Sequence, residues 1–143
     1  MKVNVQKLHP AASLPTYATP GAACFDLRTI EAGEVGPCGG TFAFRTGLAV
    51  EVPAGHVMLV FSRSGHGFKN SISMVNCVGV IDSDYRGEVM VKLRNNSPLR
   101  FGFEPGDRIA QAMILPFPQV ELVEADSLSE TARGAGGFGS TGA

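Results

Sequence analysis

The stretch TFAFRTGLAV at residues 41–50, stopped by Pro53-Ala54-Gly55 and followed by HVMLVF at residues 56–61, decides the fold class. Both runs are rich in aromatic and β-branched residues and too short for a stable helix, and a Pro-Gly turn parts them, which is the pattern of neighbouring β-strands. The pattern repeats outward. Upstream, residues 3–8 alternate polar and apolar ahead of a segment studded with proline from Pro10 to Pro20. Downstream, VGVI at 78–81 leads into an acidic turn and EVMVKL at 88–93 into Asn95-Asn96-Ser97-Pro98. RIAQAMIL at 108–115 then ends at Pro116, and QVELV at 119–123 ends in an acidic segment. Short strands at this spacing predict an all-β sandwich or barrel, with Ser64 to Asn70 as the one short helix.

Composition agrees and removes other classes. The 143 residues include 18 Gly and 9 Pro, which favours turns over long helices, while 44% hydrophobic content, 17% charged residues and a net charge of -1 are too apolar and too neutral for disorder. One domain is expected. No run is long and apolar enough to span a bilayer, and the polar-apolar alternation of the first residues is not a signal-peptide core, so a cytoplasmic protein without membrane contact is expected. Basic and acidic residues are interspersed, which gives duplex nucleic acid no electrostatic support but is compatible with a small phosphate ligand. Cys24, Cys38 and Cys77 are odd in number and widely spaced, and read as reduced thiols. Residues 1–127 form the expected β domain. Residues 128–143, ending in RGAGGFGSTGA at 133–143, have little to bury except Phe138 and are expected to be a flexible tail.

Four segments carry chemistry. Gly134-Ala135-Gly136-Gly137-Phe138-Gly139 matches the dinucleotide pattern GxGxxG, but no strand leads into it and no helix can follow, and the lysine of a Walker A loop is missing. What survives is a glycine backbone open to close approach, with Arg133, Ser140 and Thr141 for an anion and Phe138 for a ring. Ile81-Asp82-Ser83-Asp84-Tyr85-Arg86-Gly87 is not a calcium loop, since Arg86 and Leu93 fall where oxygen ligands are required. Its carboxylates supply a candidate general base. Just ahead of it Asn76 places an amide, suited to a nucleobase edge, in an otherwise apolar strand. Ser62-Arg63-Ser64-Gly65 brings a guanidinium and hydroxyls to the start of the short helix, where free N–H groups favour phosphate. Pro105-Gly106-Asp107-Arg108-Ile109-Ala110-Gln111 is a turn running into a strand, compatible with a further phosphate contact. Together these are the parts a nucleoside triphosphate needs.

These residues resemble the five ordered motifs of the trimeric deoxyuridine triphosphatase (dUTPase) family. The motifs are Ala22-Ala23-Cys24-Phe25-Asp26-Leu27, Arg63-Ser64-Gly65, the stretch from Gly79 to Gly87, the stretch from Gly106 to Gln111, and the tail from Arg133 to Gly142. The resemblance implies a β jelly-roll (β-clip) subunit with one short helix, a homotrimer whose active sites each draw on three chains, and hydrolysis of dUTP to dUMP and pyrophosphate with Mg²⁺. Such a reaction limits uracil incorporation into DNA and supplies dUMP for thymidylate synthesis. By position, Asp82 is the base that takes a proton from the attacking water. Asp26 would meet a water of the Mg²⁺ shell, the ion being bound mainly through the triphosphate. Asn76, the backbone of Val80, Ile81 and Asp82, and Met90, all in a hairpin from Asn76 to Met90, would read uracil. Tyr85 would pack under the deoxyribose, and Arg63, Ser64, Gly65 and Gln111 would contact phosphates. In the tail, Phe138 would stack on uracil while Arg133, Gly139, Ser140 and Thr141 close over the substrate.

The chain departs from the commoner motifs at Cys24, Phe25, Ser62 and Gly65-His66-Gly67-Phe68. His66 reads as a solvent-facing helix residue rather than a second base. Two alternatives share the architecture: a dCTP deaminase-like enzyme, and a nucleotide-regulated binding module without catalysis. The third motif, with Asp82 ahead of Asp84 and Tyr85, favours the triphosphatase.

Overall fold

A computed structural model of the chain describes residues 1–140 and Gly142. Among these residues twelve strands and one helix follow in the order β1 (Asn4–Lys7), β2 (Thr16–Tyr17), β3 (Phe25–Arg28), β4 (Gly33–Val35), β5 (Gly40–Arg45), β6 (Leu48–Glu51), β7 (His56–Phe61), α1 (Ser64–Asn70), β8 (Ile72–Met74), β9 (Val78–Ile81), β10 (Met90–Asn95), β11 (Phe101–Phe103) and β12 (Arg108–Pro116). All pairings are antiparallel. The largest sheet has the order β2-β3-β12-β7-β9, and a second has β5-β10-β8, with β1-β6 and β11-β4 as two-stranded ribbons.

The period-two pattern explains why the sheets stack. In β10 Val91 and Leu93 point inward while Met90, Lys92 and Arg94 face out. Leu27, Met58, Val60, Ala110 and Ala112 from the large sheet share one buried cluster with Phe44, Ile72, Met74, Val91 and Leu93 from the smaller one. This is a jelly-roll sandwich with one helical turn region, as expected.

Three expectations require correction. The run at 41–50 is not one strand: Gly47 adopts φ +66, and a Cβ there would meet Ala12 Cβ at 2.9 Å, so the chain breaks between β5 and β6. Residues 119–123 form no strand. Val120, Leu122 and Val123 are exposed and have no neighbour to pair with in a single chain. The segment from Asn76 to Met90 is not a simple hairpin, because β9 pairs with β7 while β10 pairs with β5 and β8. Residues 82–89 therefore cross from one sheet to the other. No helix among the described residues is long and apolar enough to cross a membrane.

Candidate active site

The crossing segment makes a hollow of about 270 Å³ lined by Val80, Ile81, Asp82, Tyr85, Glu88, Val89 and Met90. A surface segment holds such a shape only if its backbone is tied down, and here most ties run to the break between β5 and β6. Glu88 accepts from the Gly47 N–H at 2.7 Å and from Arg45 Nε at 3.1 Å. The Val89 N–H donates to the Leu48 carbonyl at 2.8 Å, and the buried Thr46 hydroxyl donates to the Val89 carbonyl at 2.6 Å. Inside the segment Arg86 donates to the carbonyls of Ser83 and Tyr85 at 2.7 and 3.0 Å. Its far end meets Glu51 at 3.6 Å.

Tyr85 is fixed from two sides. Its hydroxyl donates to the Glu88 carbonyl at 3.0 Å, and its ring lies so close over Gly87 that a Cβ there would sit 2.6 Å from the ring Cζ. Only glycine fits beneath it. Asp82 stands at the rim, exposed, and among the described residues no protein group hydrogen-bonds its carboxylate, which leaves both oxygens available to a water molecule.

A second cluster forms where β3, β12 and β7 lie side by side. Asp26, buried on β3, receives Arg63 Nε on one oxygen at 2.9 Å and Arg108 Nη1 on the other at 3.3 Å. One carboxylate thus holds two guanidinium groups together. Gln111, opposite both Asp26 and Phe61 in register, donates to the Ser62 carbonyl at 3.3 Å. Ser62 accepts from the Met74 N–H at 2.8 Å, which fixes the turn ahead of Arg63. Ser64 and Gly65 open α1 and are exposed. Cys24, two residues from Asp26, has its thiol pKa raised, first by burial and then by the negative charge of Asp26.

The two clusters do not meet within one chain. Strands β7 and β9 are antiparallel with Met58 opposite Ile81 and Phe61 opposite Val78, so Asp82 leaves one end of the pair while Arg63 follows the other. Asp82 lies one residue beyond one end of the four paired positions and Arg63 two beyond the other, so six residue steps separate their levels, roughly 20 Å at the usual rise.

Other expected site residues are placed as follows. Asn76 lies not in a strand but in the exposed turn between β8 and β9, since Cys77 takes a left-handed φ of 59 and reverses the chain. Val75 donates to the Lys92 carbonyl at 3.0 Å, which keeps this turn beside β10. Phe138 is fully exposed, and Arg133 Nε donates to the Gly136 carbonyl of its own segment at 2.8 Å. Gly139 and Ser140 sit in local turns, and Thr141 lies outside the described residues. His66 is not solvent-facing: it is half-buried against Phe101 and Phe103. Sequence reasoning missed Arg108 as the second partner of Asp26 and Glu88 as the anchor of the crossing segment. The signal for Arg108 was its place at the strand entry three residues before Gln111.

Known proteins resolve which nucleotide chemistry this is. The model of the dUTPase family matches residues 11–142. The chain belongs to the dUTPase family. It is 46% identical over 142 residues to the deoxyuridine 5'-triphosphate nucleotidohydrolase of Wolinella succinogenes, covering 99% of this chain and 95% of that protein. It is 47% identical over 142 residues to the corresponding protein of Nautilia profundicola, covering 99% of each. Among solved structures, the Staphylococcus bacteriophage 80alpha dUTPase with dUPNHPP superposes with a TM-score of 0.92 at 26% identity, covering 99% of both chains. The reaction of this dUTPase is the hydrolysis of dUTP, and neither alternative, deaminase or silent module, is favoured.

Proposed function

We propose that three copies of this dUTPase assemble and that each active site combines the Asp82 hollow of one copy with the Arg63–Asp26–Arg108 cluster of another. The observation that carries this is the separation of the two clusters along β7 and β9. A base acting at the α-phosphorus and arginines holding the same triphosphate must lie within a few ångströms of it, and in one chain they stand roughly 20 Å apart. Assembly is the economical remedy.

In such a site uracil enters the hollow of Val80 to Met90. Backbone groups from Val80 to Asp82, with the Asn76 amide at the neighbouring turn, read its imide edge. Cytosine exchanges donor for acceptor and leaves buried polar groups unpaired, at about 1–3 kcal/mol each. Tyr85 lies against the sugar. Asp82 orients water for attack on the α-phosphorus and accepts its proton. Arg63, Arg108, Ser64, Gly65 and Gln111 hold the phosphate chain by charge-assisted hydrogen bonds. The tail, with Arg133, Phe138, Gly139, Ser140 and Thr141, closes over the occupied site.

Among the described residues no group of three or more His, Cys, Asp or Glu side chains could hold a metal, and the Asp26 oxygens already have arginine partners. These residues fit an ion that arrives on the triphosphate. Asp26 would then meet it through water, as suits the hydration of Mg²⁺. When bound, Mg²⁺ neutralises charge on the phosphates. The free thiols of Cys24, Cys38 and Cys77 fit a reducing cytoplasm.

The test is complementation. Asp82→Asn and Arg63→Ala proteins, each inactive alone, are unfolded together and refolded as mixed trimers. Shared sites predict that pyrophosphate release from dUTP returns, because some sites receive Asp82 from one copy and Arg63 from the other. If mixtures stay as inactive as their parents, the site lies within one chain and the proposal fails.

A further inference from the structure

Helix α1 has few means of holding itself in place. It spans seven residues, two of them glycine, and has no buried residue, no side-chain N-cap and no acidic residue in its first turn. Glycine costs a helix interior about 1 kcal/mol relative to alanine, and helices this short do not persist on propensity alone. Phe68 is 96% exposed and holds nothing. Among the described residues one side chain of α1 hydrogen-bonds outside the helix. It is His66, whose Nε2 lies 2.8 Å from the Arg108 carbonyl oxygen. The ring also meets Phe101 and Phe103 edge to face, with centroids 5.8 and 5.2 Å away. A carbonyl only accepts, so Nε2 carries the hydrogen and donates.

The turn ahead of the receiving end is held by the Thr29 N–H to the Asp107 carbonyl at 3.0 Å and by Arg28 Nη1 to the Gly106 carbonyl at 2.6 Å, but the strand is irregular just after it. Arg108 begins β12, and the register with β3 shifts between Arg108 and Ala110, so the ladder is irregular where the Arg108 side chain must be aimed. The contacts close a circuit. Arg63 binds Asp26, Asp26 binds Arg108, the Arg108 backbone receives His66, and the first turn of α1 returns to Arg63.

We propose that His66 is a positioning residue for triphosphate binding: it locks α1 to the start of β12 so that Arg63 and Arg108 converge on Asp26 in one arrangement. This rests on the reading that these arginines face the phosphates. His66 touches neither substrate nor reacting atoms in this role.

His66→Phe and His66→Leu keep apolar bulk and remove the donor, whereas His66→Gln keeps an Nε2–H. In the full-length enzyme the Phe and Leu variants should raise KM for dUTP about 3- to 10-fold, the loss of one hydrogen bond, with kcat changed less than about twofold. Affinity for dUMP, which lacks the β- and γ-phosphates, should change less than that for dUTP, and Gln should lie nearer the parent. An unchanged KM in the donorless variants overturns the proposal. So does equal weakening of dUTP and dUMP, which is general loosening of the fold. Should one donorless variant fail to fold, the other decides. A parent enzyme without dUTP turnover would sink the functional reading instead, and calorimetric titration of dUTP against dUMP would still test His66.

Discussion

Two segments of this chain lack regular structure and are assigned to the same chemistry, yet they are held in opposite ways. Residues 82–89 are tied at their far end, through Glu88 and Val89, to Gly47, Arg45, Leu48 and Thr46, and across the middle by Arg86 to their own carbonyls. Among the described residues the tail from Thr131 bonds only to itself, through turns such as the Gly136 N–H to the Arg133 carbonyl at 3.1 Å. The first is organised before substrate arrives, so its geometry is available without an ordering cost. Under the proposed function the second is ordered only by the substrate it covers, which would let it open again for product.

This contrast can be broken at three points. Asp82→Asn preserves shape in the anchored segment and removes the base, so kcat should fall by about 10²- to 10⁴-fold while binding of dUTP persists. Steady-state rates with equilibrium binding check this, and near-normal turnover would remove Asp82 from the chemistry. Truncation after Ala132 should lower kcat/KM roughly 10- to 100-fold, by the misplacement argument, without a measurable change in Tm, because Phe138 and its neighbours bury nothing. A lowered Tm would mean that the tail is part of the fold. Gly87→Ala should have the smallest effect: the added Cβ pushes the Tyr85 ring aside, and kcat/KM for dUTP should drop about tenfold while discrimination against UTP narrows. Parallel assays on the two nucleotides read this out, and an unchanged ratio would place sugar recognition elsewhere.

How much of this was legible in the chain varies with distance along it. The bounds of β7, α1 and β9 follow from local pattern alone. Strands β4, β8 and β11 do not, because three residues carry too little periodicity and their strand state is imposed by partners. The break at Gly47 was hidden inside an apolar run, and its purpose lies in Glu88 and Val89, some forty residues on. The Asp26 cluster was half legible. The motif residues were recognisable one by one, but that a single carboxylate holds both Arg63 and Arg108 depends on β3, β12 and β7 being neighbours in the sheet. The role of His66 stayed invisible for the same reason, since its partner is a backbone atom.

Strand β12 carries one further consequence, for the order in which the molecule can assemble. It is the middle strand of the largest sheet, between β3 and β7, and yet among the described residues it is the last strand in chain order. Its pairings reach back some fifty to nearly ninety residues, contacts that form slowly because the intervening chain must be looped first. On the ribosome, β3 and β7 therefore wait with unpaired edges until residue 116 has emerged. A nascent chain halted short of that point lacks the axis of the sheet rather than its rim, and exposes two strand edges to other nascent copies.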